Sequence, residues 1–385
     1  MVLSELIPDD LMINILSRLP VQSLVKFMFV HKSWRSLITN DPAFKALNLH
    51  LHFSDTNSNY LITIPNEFST ERRLCSVIIR NSNNNGGVSN FVVKDIEIPF
   101  RTPTKYYRLL CSCNGVLCMS DTNYYNDSLY LWNPSVRNFK ILPCLCTPPG
   151  NMNSMVTGHG IGPDHRDHDV LVIRIIYFYD TSTKTYNGKR KPRTEVYSLN
   201  TSSWSSITDE SVVVPCYVFD EPSAFVNGAI HWKALSFALV RPVIMYFNTA
   251  EREFGEIRLP VNCFDHMVRL HWRVAVFKGL LALIVISRIH PASRKICDIW
   301  IMKEYGVVES WTKRFAIPIP LEDTLFDRPL GITKNDQLLQ DLDGMLLWYD
   351  LDGEQGGILG FYGVQGSFDV DTLTDSLYLL GPTRE

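Results

Sequence analysis

The side chains best placed to do chemistry lie in Gly158-His159-Gly160-Ile161-Gly162-Pro163-Asp164-His165-Arg166-Asp167-His168-Asp169, where imidazoles and carboxylates crowd together as transition-metal ligands do. Gly and Asp are equally the residues of an ordinary turn, so the same stretch reads as a turn leading into a strand. Cys111, Cys113, Cys118, Cys144 and Cys146 form a second cluster, but without the paired CxxC units of a zinc site. No GxSxG elbow, P-loop or HExxH occurs, and the scattered Ser, His and Asp residues define no triad. The expectation is a chain with no catalytic residues, no metal and no cofactor.

Composition narrows the partners. Lys and Arg number 37 against 40 Asp and Glu, a net charge of −3, so nothing draws the whole chain to nucleic acid or an anionic membrane. A 45% hydrophobic content over 385 residues suits one or two folded domains with a sizeable core. Glu5, Asp9 and Asp10 stand where a secretory signal would be basic. The densest apolar run, Gly279 to Ile286, falls far short of the ~20 residues of a membrane-spanning helix. The nine cysteines are scattered through apolar segments, as at Cys75, Cys216, Cys263 and Cys297, which reads as reduced thiols buried in strands. A cytoplasmic protein is expected, with nuclear entry if Lys189-Arg190-Lys191-Pro192-Arg193 serves as an import signal in place of a plain hairpin loop.

Two kinds of element must position whatever this chain presents. Up to about Asn48 the periodicity is helical. Pro8 with Asp9 and Asp10 starts a first helix, whose apolar residues Leu11, Met12, Ile15, Leu16 and Leu19 recur at steps of three and four before Pro20 ends it. A second helix carries Leu24, Val25, Met28 and Phe29, and a third carries Trp34, Leu37 and Ile38 before the Asn40-Asp41-Pro42 break. Beyond it come short β-branched and aromatic runs punctuated by Gly, Pro, Asn and Asp, the pattern of many short strands.

A weak repeat selects among all-β architectures. Turns ending in Gly and followed by an apolar strand recur at Asn114-Gly115, Asn227-Gly228 and Lys278-Gly279. Strands with an aromatic near the end, then a polar turn, recur at Leu131-Trp132-Asn133, Val196 to Asn200, Met245 to Asn248 and Leu347 to Asp350. Gly228 and Gly279 are 51 residues apart, and Asn200 and Asn248 are 48 apart, near the period of one propeller blade. Trp204, Trp232, Trp300 and Trp311 are then expected to pack between blades.

These residues resemble a known pair of modules. Ile7-Pro8-Asp9-Asp10-Leu11, Ile15-Leu16-Ser17-Arg18-Leu19-Pro20-Val21, Ser23 to Phe27 and Lys32-Ser33-Trp34-Arg35-Ser36-Leu37-Ile38 resemble the F-box of plant F-box proteins nearly position by position. The remainder resembles the F-box-associated, kelch-like domain of the same group, through Cys113 to Cys118, Leu131 to Arg137, Gly160 to Asp164, Asp169 to Arg174, Glu195 to Asn200, Asn227 to Trp232, Phe254 to Pro260 and Ile299 to Gly306. Ser376 to Leu380 is similar to the end of S-locus F-box proteins. Departures from the plant pattern are Met28-Phe29, where a basic residue and Cys are common, His31 and His168.

The resemblance implies an α+β chain: a small three-helix F-box at 1–48, a segment at 49–104 that can add part of a blade, and an all-β kelch-like propeller at 105–385, with about six to seven blades in all. It implies a substrate-recognition subunit of an SCF-type ubiquitin ligase, partnered by an Skp-type adaptor, through it a cullin, and by a protein substrate of unknown identity. The implied adaptor-binding residues are Pro8, Leu11, Ile15, Leu16, Leu19, Pro20, Leu24, Val25, Phe27, Val30 and Trp34. The S-locus likeness would make ribonucleases the targets. A non-degradative scaffold of the same architecture and, more remotely, a kelch-type oxidase are the alternatives. Substrate contacts are expected on loops at one propeller mouth, within Asp121 to Ser128, Cys144 to Ser154 and Asp180 to Lys191.

Overall fold

Apolar periodicity and the breakers between helices account for the first part of the chain in a computed structural model. It describes residues 8–52, 59–63, 74–81, 90–105, 107–121, 128–143, 152–164, 166, 168–180, 192–207, 214–219, 221–239, 241–261, 263, 271–288, 295–319, 327–352, 355–363, 366 and 368–379. Helix α1 (Asp9–Ser17) follows Pro8 and holds Asp9 and Asp10 in its first turn, at the positive end of the dipole. Helix α2 (Val21–Phe27) follows Pro20. It stops short of the apolar run, because Phe29 N and Val30 N bond back to Lys26 O and Phe27 O in tight turns. Helix α3 (Lys32–Asn40) is capped by His31, whose Nδ1 accepts the Ser33 N–H at 3.3 Å.

The Asn40-Asp41-Pro42 break opens a fourth helix, α4 (Pro42–His52), beyond the three expected. Asp41 Oδ1 accepts the N–H groups of Ala43 and Phe44 at 2.9 and 3.1 Å, and Pro42 takes the first helical position, where a missing N–H costs nothing.

The strands beyond group into six sheets among the described residues. Blade one contains Arg108–Cys113, Val116–Ser120, Leu129–Asn133 and Asn138–Leu142. Blade two contains Met152–Asp164, Asp169–Asp180, Arg193–Ser198 and Ser203–Ser206. In blade three, Cys216–Val218 and Ala224–Val226 both pair with Ala229–Ser236, followed by Pro242–Asn248 and Glu253–Arg258. Blade four contains His271–Phe277, Leu280–Ser287, Ile296–Met302 and Trp311–Pro318. Blade five contains Asp327–Ile332, Gln337–Leu342, Met345–Asp350 and Gly356–Tyr362. Blade six joins the two ends of the chain: Asp369–Leu373 pairs with Asn59–Thr63, which continues into Leu74–Asn81 and Asn90–Glu97. The first strands of neighbouring blades touch all the way around, so this pairing closes a ring.

The repeated turns have a conformational reason. Asn114-Gly115, Asn227-Gly228 and Lys278-Gly279 all have positive φ at both positions, near 50° and 75°, the pair that a two-residue hairpin of favourable twist demands. Antiparallel order places these turns, and those between third and fourth strands, at one end of the propeller. Connections between second and third strands, and from blade to blade, fall at the other.

The glycines of the His/Asp cluster do not form the turn suggested by their sequence. Gly158, Gly160 and Gly162 alternate along the inner strand of blade two and so share one face. A Cβ on Gly160 would lie 2.6 Å from Ile230 and 2.7 Å from Trp232, and one on Gly162 would lie 2.6 Å from Phe225. Their absent side chains make the seat for blade three. The tryptophans tie neighbouring blades, with Nε1 of Trp232, Trp204 and Trp311 donating to His159 O, Pro143 O and Arg258 O at 2.7, 2.9 and 3.1 Å. Trp300 packs among the residues shared by blades three and four.

Candidate docking face of the N-terminal helices

Four short helices hold little apolar volume, so which residues face inward is decided by angle. On α1, Met12 and Leu16 form one i, i+4 pair and Leu11 and Ile15 another, turned by about 100°. Leu16 is buried with Val21, Leu24, Ile38 and Phe44, and Met12 packs against them. Leu11 and Ile15 remain 53% and 46% exposed. The frame is tied by Asn48 of α4, whose Nδ2 donates to Ser17 O at 2.8 Å and Leu19 O at 3.1 Å. Those carbonyls at the end of α1 have no acceptor role within the helix, so Asn48 both satisfies them and fixes α4 across α1.

The predicted adaptor-binding set therefore divides. Pro8, Leu11, Ile15, Pro20 and Val30 are exposed. Leu19, Val25, Phe27 and Trp34 are half-buried against the helical core, with the Phe27 and Trp34 ring centroids 5.8 Å apart. Leu16 and Leu24 lie inside the helical core, 1% and 0% exposed. Val25 also lines a cavity of about 1030 Å³ between α2 and the propeller, with Trp132 and Val136 across from it.

Phe29, outside the expected adaptor-binding set, is 81% exposed and stands beside Val30 because α2 ends before it. Leu47 and Leu51, an i, i+4 pair on α4, are also exposed and went unnoticed because the fourth helix did. Fully burying one such side chain contributes about 1.5–3 kcal/mol. Behind the face, burial pulls Lys45 down to about 8 despite the Asp41 carboxylate nearby.

The other chemistry is absorbed by structure. Asp164 accepts from Arg252 of blade three at 3.1 Å, and Asp169 accepts the N–H groups of Val170 and Asn200 at 2.7 and 2.9 Å. His165 and Asp167 lie outside the described residues, and no group of three or more metal-ligating side chains gathers among those described. Cys75, Cys111, Cys113, Cys118, Cys216, Cys263 and Cys297 are buried free thiols, and Cys144 and Cys146 lie outside the described residues. Burial pushes the Cys75 thiol up to about 12 and raises those of Cys111, Cys113, Cys216 and Cys297 well above the usual range, which makes them inert.

The propeller axis holds a small cavity of about 170 Å³ lined by Ser112, Arg273, Thr333 and Asp371. Burial, with Arg328 adding to it, pulls Arg273 down to about 10, and burial raises Asp371. Of the expected substrate loops and the basic run, residues 122–127, 144–151 and 181–191 lie outside the described residues. The strand ends that bound them, at Ser120 and Leu129, Leu142 and Met152, and Asp180 and Arg193, lie at the end of the propeller away from the hairpin turns. Among the described residues, no helix is long and apolar enough to cross a membrane.

Comparison with known proteins agrees with both parts. A family model described as the F-box domain matches residues 5–45, and one described as the F-box associated beta propeller domain matches residues 67–365. The chain is 31% identical to F-box protein At3g07870 of Arabidopsis thaliana, over 86% of this chain and 78% of that one. It is 28% identical to F-box/kelch-repeat protein At3g23880 of the same plant, over 89% and 87%.

Proposed function

Because this chain belongs to the F-box proteins that carry an F-box-associated β-propeller, we propose that it is the substrate-receptor subunit of an SCF-type ubiquitin ligase. The helices dock on an Skp-type adaptor, which connects them to a cullin, and the propeller holds a target protein. The observation that carries this reading is the exposed Leu11 and Ile15 on α1 and Val30 just after α2, in a helical region that rests against the turn end of the propeller. Exposed apolar side chains grouped on one surface are a feature of surfaces that partners cover.

The mechanism asks for no reacting group in this chain. Holding a target and a charged ubiquitin-conjugating enzyme in one assembly raises their effective concentration, and the rigid ring between them sets orientation. Long connections at the end away from the helices suit target binding, since rigid strands hold variable segments there. The Ser376 to Leu380 likeness to S-locus proteins does not help to choose a target, because 376–379 is engaged with the helices and blade one.

The test is affinity capture of the full chain and of a Leu11→Asp, Ile15→Asp variant with the proteasome inhibited. Adaptor and cullin should be lost from the variant while targets persist and accumulate. Equal adaptor recovery from both chains would exclude the proposed face.

A further inference from the structure

The core of the helical region is not made by the helices alone. Leu377, near the far end of the chain, is 0% exposed and packs in one cluster with Leu16, Val21, Leu24, Ile38 and Phe44. Val136, from the turn between the third and fourth strands of blade one, packs against the same cluster. The segment Thr374–Leu379 that delivers Leu377 leaves the closing strand Asp369–Leu373 directly.

Blade one grips this segment throughout. Asn133, fully buried, donates through Nδ2 to Ser376 O at 3.1 Å, Ser376 Oγ at 3.0 Å and Tyr378 O at 2.8 Å. Asn138 Nδ2 donates to Leu379 O at 2.6 Å, and the Ser135 hydroxyl donates to the Asp375 carboxylate at 2.6 Å. On the other side, Gly115 comes so close that a Cβ there would meet Thr374 O at 2.1 Å. Tyr378 and Leu379 then share a cluster with Leu49 of α4.

We propose that Thr374–Leu379 is a strut that holds the docking helices in place, with Leu377 as its positioning residue; this rests on the adaptor-docking reading above. Helices of seven to eleven residues do not persist alone, and a region of this size lies near the lower limit for a self-sufficient core. Leu377 packs in the cluster that buries Leu16, on the face of α1 turned by about 100° from the one that Leu11 and Ile15 leave open, and it acts on the docking face through Leu16. Since the strut is continuous with the strand that closes the propeller, the face is completed only in a chain whose ring has closed. Both ends of the assembly are thereby held in one rigid relation.

Full-length Leu377→Ser, Leu377→Met and Asn133→Ala chains test this by two readouts, affinity for purified Skp-type adaptor and amide exchange resolved along the chain. Leu377→Ser should weaken adaptor binding at least tenfold and speed exchange in α1 and α2, with Leu280–Ser287 of blade four unchanged. Asn133→Ala should do the same to a lesser degree, and Leu377→Met should restore both readouts. Parental affinity in Leu377→Ser, or exchange rising equally in blade four, would overturn the positioning role. A parent chain that fails to bind adaptor would sink the docking function itself, while helix exchange would still report whether Leu377 holds the helices.

Discussion

The Nε2 atom of His231 lies 2.8 Å from the hydroxyl of Tyr305 and so joins blade three to the turn before the outer strand of blade four. Its Nδ1 lies 3.3 Å from Ala224 O, and the ring is fully buried. Burial dominates over these bonds and lowers the imidazole from 6.5 to about 4.

A depressed histidine makes stability fall on the acid side. The unfolded chain takes up a proton near pH 6.5 and the folded chain near 4, so this contribution is whole above 6.5 and is lost as pH falls toward 4. The span corresponds to roughly 3 kcal/mol. Denaturant unfolding of the parent should weaken across this window, and His231→Gln should flatten the slope. An equal slope in both would show that other groups carry the acid dependence.

Leu11 and Leu16 should separate binding from folding. Leu11→Asp changes an exposed side chain and should abolish adaptor capture with little change in helix stability. Leu16→Ala empties part of the core and should destabilise the helical region by about 2–5 kcal/mol.

Asn48 should behave as a buried tie. Asn48→Ala leaves Ser17 O and Leu19 O without that donor and should cost about 1–3 kcal/mol, seen as faster exchange at the end of α1. Unaltered exchange there would mean that water replaces the amide without loss.

Gly160 should refuse a methyl group. Gly160→Ala places a carbon within 2.7 Å of Trp232, and overpacking of this kind costs about 1–3 kcal/mol. The expected result is a lower melting temperature with altered tryptophan emission, since the indole of Trp232 is donating to the neighbouring His159 O.

Most of the fold was legible because its cues are local. Pro8, Pro20 and the 51-residue step between Gly228 and Gly279 each act over a few bonds or one repeat. In sequence the Asp41-Pro42 pair is as much a helix ending as a helix start, and only the Ala43 and Phe44 donors distinguish the two. The glycines at 158, 160 and 162 gave a false turn signal because their need for small size comes from Phe225, Ile230 and Trp232 on the next blade.

The same division holds for the docking face. By itself the sequence determined that helices precede a propeller, where the first helix begins, and which family pattern the apolar residues follow. Tertiary structure decided that Leu11 and Ile15 look outward while Leu16 and Leu24 look inward, and that Leu377 completes their core. Helix starts are written in neighbouring residues, whereas burial is a relation between residues hundreds of positions apart, and no local pattern carries it.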